Sequence, residues 1–220
     1  MKRSRENFTI NNLTKEEAEN LWMGFMIYGN RELINLVEKG LDIKNKELFP
    51  DNLLHFACCM NYMENIKFLV AHGFDVNLKD YKNDDGVTPV FSFVYTLNFE
   101  GIKLLESFGA LLTISDMNGN NLLHYLSREL EVLKISDKWT EHQEKLFEIV
   151  RYLVDKGVNP EALNKENQRV LDLFSDGFGN SRNKFQRAIE EGLVKRRALG
   201  NKLFRILLKE SIVDIEFYYY

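Results

Sequence analysis

His55, Cys58 and Cys59 stand within five residues of one another, and a spacing of three puts the imidazole and the first thiol on one face of a helix. Imidazole and thiolate are zinc ligands, but a closed zinc site takes four donors, and no second pair at suitable spacing follows. A small buried thiol is the simpler account of Cys58, so no metal and no other cofactor is expected. Asp75, Asp80, Asp84 and Asp85 gather near one turn. Paired carboxylates can perform acid–base work, yet nothing flanking these four reads as a pocket, and a solvated acidic binding rim is the better reading. Gly177-Phe178-Gly179 is a glycine cluster without the Lys-Ser/Thr pair of a phosphate loop, and no Gly-x-Ser-x-Gly elbow occurs. No catalytic residue is assigned, and the chain is not expected to be an enzyme. His72 falls in the last turn of a helix, where a cation suits the dipole, and His142 in a solvated stretch.

The elements that would carry these residues repeat along the chain. Asn52-Leu53-Leu54-His55-Phe56-Ala57, Thr88-Pro89-Val90-Phe91-Ser92-Phe93, Asn121-Leu122-Leu123-His124-Tyr125-Leu126 and Arg169-Val170-Leu171-Asp172-Leu173-Phe174 share an opening pattern. Their fourth residues are 36, 33 and 48 apart. An apolar helix ending in glycine follows three of them, at Gly73, Gly109 and Gly157, and an earlier copy ends at Gly40. One unit is a short helix, opened by a polar cap or Thr88-Pro89, and then a longer amphipathic helix such as Ile66–Val70. Glycine closes it in the left-handed conformation. A single pair cannot bury its apolar faces, whereas stacked copies can.

These residues resemble the ankyrin repeat, whose 33-residue unit opens on Thr-Pro-Leu-His-x-Ala and closes on Gly-Ala-Asp-Val-Asn. Leu54-His55-Phe56-Ala57 with His72-Gly73-Phe74-Asp75-Val76-Asn77 carry the best copy, Gly86-Val87-Thr88-Pro89 with Phe108-Gly109-Ala110 a second, and Asp116 to His124 a third. Val170-Leu171-Asp172-Leu173 is similar to a later-repeat variant. The resemblance covers about residues 17–175 and implies an all-α helical repeat solenoid. Its units run about 17–50, 51–85, 86–116, 117–163 and 164–175 onward, after a tail at 1–16. It implies that His55 and His124 bond backbone between neighbouring units. It also implies that a partner protein meets loop tips and the exposed positions of each first helix. Matched repeat by repeat, those are Leu48, Phe49, Asp51, Cys59 and Met60; Asp84, Asp85, Val87, Tyr95 and Thr96; Met117, Asn118, Asn120, Arg128 and Glu129; Lys165, Glu166, Gln168 and Asp176. Leu48, Phe49, Met60, Tyr95 and Met117 are large and apolar for such positions, and Arg128 is an anchor type. A misaligned repeat would move core residues into this set. Two departures stand out: extra residues at 79–85, and an insertion near 132–144 that contains Trp139.

The ends differ in charge. The chain has 220 residues and a net charge of −4, yet residues 182–209 hold nine basic residues against Glu190 and Glu191. Residues 176–220 read as a basic helical cap, with helices at Phe185–Leu193 and Leu199–Lys209, a short extended segment around Asp214 and Glu216, and an aromatic tail. The two cysteines are neighbours, so no disulfide framework is expected. With neither a signal-like nor a membrane-spanning run, a cytoplasmic location, or delivery into a host cell, is expected. Abundant Asn, Lys, Ile and Phe with degenerate repeats resemble proteins of intracellular bacteria, phages or large DNA viruses. The reading is therefore a non-enzymatic protein-binding module that inhibits or sequesters a partner, of the effector, immunity or defence-inhibitor type. Nucleic-acid or anionic-surface contact through 182–209 is the alternative.

Overall fold

The computed structural model describes residues 13–28, 31–80, 86–133, 139–174 and 179–216. Among them every element is helical: α1 (Lys15–Tyr28), α2 (Glu32–Glu38), α3 (Leu53–Cys59), α4 (Met63–Ala71), α5 (Pro89–Tyr95), α6 (Phe99–Ser107), α7 (Leu122–Leu133), α8 (Trp139–Asp155), a 3-10 turn (Val170–Leu173) and α9 (Gly179–Glu216). Extended backbone among the described residues is confined to two isolated bridges, Asp80 with Val87 and Ser115 with Asn121. The chain divides into two units. The first runs to Thr96 and takes in Glu100–Ala110, and the second holds Leu97–Phe99 and the chain from Leu111 on.

One helix ending is written four times. Gly40, Gly73, Gly109 and Gly157 all have positive φ. The residue after each glycine donates its N–H five residues back: Leu41 to Leu36, Phe74 to Leu69, Ala110 to Leu105 and Val158 to Leu153, at 2.9–3.1 Å. This closure satisfies carbonyls that a helix end leaves open, and it needs a left-handed residue at the turn. Two of the glycines also lie under a cation: a Cβ at Gly73 would fall 2.7 Å from Lys44 Nζ, and one at Gly157 3.2 Å from an Arg196 nitrogen. Positive charge over a helix C-terminus is favourable.

In the first unit α1 opens on a capping box. Thr14 N–H donates to Glu17 Oε2 at 2.8 Å, and Glu17 N–H donates to Thr14 Oγ1 at 3.3 Å. The far end of α1 is sealed from α4, where Asn65 Nδ2 donates to Phe25 O and Tyr62 OH to Ile27 O, both at 2.8 Å. α3 packs on α4 and, across the repeat boundary, on α5. Phe25, Leu33, Leu53, Leu54, Ile66, Leu69, Phe93, Ile102 and Leu105 are buried in this unit. Each such side chain contributes about 1.5–3 kcal/mol when fully buried.

In the second unit α7 packs on α8 and on the 3-10 turn, and α8 packs on α9. Leu122, Leu130, Leu146, Ile149, Val150, Leu153 and Phe185 are buried. The insertion near 132–144 extends α7 to Leu133 and starts α8 at Trp139; residues 134–138 lie outside the described residues. The C-terminal segment corrects the sequence reading. Two helices and an extended stretch were expected, but Gly179–Glu216 is one helix of 38 residues. Its first half runs parallel to α8, with Arg151 on Glu191 at 3.2 Å and Lys195 on Asp155 at 3.0 Å. The helices meet closely at Gly192, where a Cβ would lie 2.7 Å from the Arg151 carbonyl oxygen. Gly192, inside the first expected helix, is the contact that lets two helices approach.

Candidate functional site

Each first helix of a pair has one inward and one outward side, set by helical spacing. In α3, Leu53, Leu54, His55, Ala57 and Cys58 are buried, which leaves Phe56, Cys59 and Met60 exposed. In α5, Pro89, Val90, Phe91, Phe93 and Val94 are buried, with Tyr95 and Thr96 exposed and Ser92 half-buried. In α7, Leu122, Leu123, His124, Leu126, Ser127 and Leu130 are buried, with Arg128 exposed and Tyr125 and Glu129 half-buried. Corresponding outward positions are therefore Phe56, Ser92 and Tyr125; Cys59, Tyr95 and Arg128; Met60, Thr96 and Glu129.

The first unit joins these positions into an apolar strip. The Trp22 ring of α1 stacks at 5.4 Å on Phe56, and Cys59 Sγ lies 3.3 Å from Ser92 Oγ. Met60 is 45% exposed and Tyr95 64% exposed. Beside the strip, Lys15, Glu19, Trp22 and the Lys46–Pro50 loop line an open cleft of about 260 Å³. That is below the ~300 Å³ at which pockets for whole small ligands begin.

The second unit presents charge at the matching positions. Arg128 faces solvent, and burial pushes the Glu129 carboxyl above the ordinary carboxylate range. Met117, Asn118, Lys165 and Glu166 are exposed on its loop tips.

Several sequence-derived positions are not where a partner could reach them. Phe49 is 2% exposed and belongs to the core, where Pro50 and its neighbours fold the loop inward. Asn120 is equally buried. Its N–H and Nδ2 donate to the Asp116 carboxylate at 2.7 and 3.0 Å, and its Oδ1 accepts from Asn164 Nδ2 at 3.0 Å. Leu48 and Val87 are half-buried, and Asp51 is exposed and paired with Lys46 at 3.1 Å. Of the acidic rim, Asp80 accepts from Asn52 Nδ2 at 3.0 Å and Asp75 accepts from Asn77 N–H at 2.8 Å. Asp84, Asp85 and Asp176 lie outside the described residues. The sequence reading missed Phe56 and Trp22. Phe56 was legible as the residue after the repeat histidine, but Trp22 precedes the first recognisable opening and had no matching position.

The two histidines act in the fold. His55 Nε2 lies 3.1 Å from the Val87 carbonyl, and His124 Nε2 lies 3.2 Å from the Gln168 carbonyl. A carbonyl only accepts, so each Nε2 carries the proton. Both bonds run to the next repeat, as the resemblance implied. Desolvation depresses both imidazoles below the ordinary histidine range. The Val87 carbonyl, Asp80 and the Leu78 carbonyl oppose this at His55, and the Gln168 carbonyl and Asp116 oppose it at His124. Cys58 is buried and its thiol is pushed up by desolvation, so it stays protonated.

Residues 54–106 match the family model for ankyrin repeats (many copies). Over 102 residues, 46% of this chain, it is 28% identical to the human BCL-6 corepressor-like protein 1. The matched stretch spans only 6% of that relative's length. The crystal structure of the ankyrin repeat domain of Bcl-3, a member of the IkappaB protein family, aligns with a TM-score of 0.46 at 22% identity, covering 63% of this chain and 50% of that one. No helix among the described residues is long and apolar enough to cross a membrane. The chain is thus similar to ankyrin-repeat proteins: residues 54–106 match that family's model, and helix pairs with a recurrent glycine closure and histidines that bond the next repeat carry the same pattern.

Proposed function

We propose that the chain acts by binding a partner protein, which it inhibits or sequesters, and not by turning over a substrate. The observation that carries this reading is the apolar strip of the first unit, where Phe56, Met60 and Tyr95 are exposed on successive first helices. Aromatic and methionine side chains in the open are enriched at the centres of protein interfaces and are unfavourable in water without a partner. Arg128, Glu129, Met117, Asn118, Lys165 and Glu166 supply the polar contacts of the second unit. The effector, immunity or defence-inhibitor role rests on resemblance, from abundant Asn, Lys, Ile and Phe together with degenerate repeats. Affinity capture followed by mass spectrometry, run on the native chain and on Met60→Asp with Tyr95→Asp, tests it. Both residues are exposed, so the double variant keeps its helical circular dichroism and should lose the specific partner. Capture that survives both substitutions in a folded protein rejects this face. Phe49→Asp is not a fair test, because it places a charge in the core.

A further inference from the structure

We propose that the second half of α9 is a docking surface for an acidic amphipathic helix of a partner protein, separate from the strip of the first unit. The face of α9 that packs on α8 carries Phe185, Ala188, Ile189 and Gly192, all buried. Steps of seven residues return to one side of a helix and extend that face along two series: Phe185, Gly192, Leu199 and Ile189, Arg196, Leu203. α8 ends at Asp155, opposite Lys195, so the seam continues after its cover has stopped. Leu199 and Leu203 are accordingly 54% and 53% exposed, in a stretch from Val194 to Leu203 that is exposed throughout. Lys195 and Lys202 border the seam, again seven residues apart. Residues 192–209 contain six basic residues and no acidic one.

The chemistry selects the occupant. Adjacent leucines call for an apolar seam on the partner, and the lysine border calls for carboxylates beside it. A phosphate backbone would leave the leucines uncovered. An interfacial lipid helix wants an uninterrupted apolar face, and Arg196 stands in the series between Ile189 and Leu203, which places a charge within it. A second copy set antiparallel would bring the lysine border against itself.

The probe is a synthetic helical peptide with a leucine seam flanked by glutamates, labelled for fluorescence anisotropy against the full chain. A twin with lysine flanks is the control. The glutamate peptide should bind, and binding should fall as salt is raised, since the charges are exposed. Leu199→Asp with Leu203→Asp should weaken it by about tenfold or more, the scale set by two lost leucine contacts. Val194→Asp, nine residues from Leu203 and so on the opposite side of the helix, should leave binding unchanged. Circular dichroism confirms that each variant stays helical. The proposal is overturned by equal binding of the lysine-flanked peptide, by no binding, or by binding that the double variant retains. It is also overturned if phosphatidylserine vesicles or duplex DNA bind the seam more tightly than the peptide, or if the chain self-associates until Leu199 and Leu203 are replaced. Loss of partner capture through the first unit's strip would leave this result untouched, so the two readings fail separately.

Discussion

The sequence Asn-Leu-Leu-His occurs twice, at 52–55 in the first unit and 121–124 in the second, and the two copies are bonded differently. In the second, Asn121 Oδ1 accepts the N–H groups of Leu123 and His124 at 3.0 and 3.2 Å, and Nδ2 donates to Asn159 O at 2.8 Å. His124 Nδ1 lies 2.8 Å from that same Oδ1 and 3.2 Å from Asn121 N. In the first, Asn52 makes no side-chain cap to its helix. Its Nδ2 turns to Asp80, and among the described residues Asn52 Oδ1 and His55 Nδ1 are buried without a hydrogen bond. The two differ in the acceptor at hand: Asn159, two residues past Gly157, offers a carbonyl to Asn121, whereas the Asp80 carboxylate faces Asn52. Identical residues thus acquire different hydrogen bonds where a different acceptor is near.

The comparison is broken most directly at the histidines. His124→Ala removes a fully buried ring and strands the Gln168 carbonyl, and should cost about 3 kcal/mol in chemical denaturation. His55→Ala should cost about 1 kcal/mol less, because Nδ1 contributes nothing there. Equal losses would mean that the orphaned nitrogen finds a partner in solution. Asn121→Ala should cost about 1–2 kcal/mol through the lost cap, and Asn52→Ala clearly less. A reversed order would remove the distinction between the two copies.

Thr88 sharpens the point. Among the described residues its hydroxyl is buried without a partner, and three residues on, where the two complete motifs carry histidine, stands the apolar Phe91. Thr88→Val should therefore be neutral or stabilising by about 0.5–1 kcal/mol, since an apolar isostere relieves an unpaired group. A clear loss of stability would show that the hydroxyl is bonded.

pH is the gentlest probe. Both histidines titrate lower in the fold than in the unfolded chain, so the unfolded state binds more protons once pH falls below the ordinary histidine range. Their contribution is complete above about pH 6.5 and is lost as pH falls from there toward the depressed folded values. The urea midpoint should drop between neutral pH and mildly acidic pH, and His55→Gln should flatten part of that slope. A slope unchanged in both His55→Gln and His124→Gln would assign it to carboxylates.

The repeating frame was legible because it rests on local signals: the glycine closures, Thr88-Pro89 and the apolar spacing of α3 to α6 each act within a few residues. The candidate face was legible only in part. Met60, Tyr95 and Arg128 sit at positions counted from a helix start, and the structure leaves them exposed. Phe49 and Asn120 sit in turns, where a shift of one residue turns a side chain from solvent to core. The single α9 was hidden because the charged run Lys195–Arg197 separates two apolar stretches, and because the contact that docks the helix, Gly192 on α8, joins residues about 40 positions apart.

Gly192 also acts as a stop against sliding. If α9 moved seven residues along α8, Leu199 would arrive where only a hydrogen atom fits beneath the Arg151 carbonyl, and backbone would block it. A slide of one heptad is therefore excluded, which holds the far half of the helix at its present reach past the end of α8.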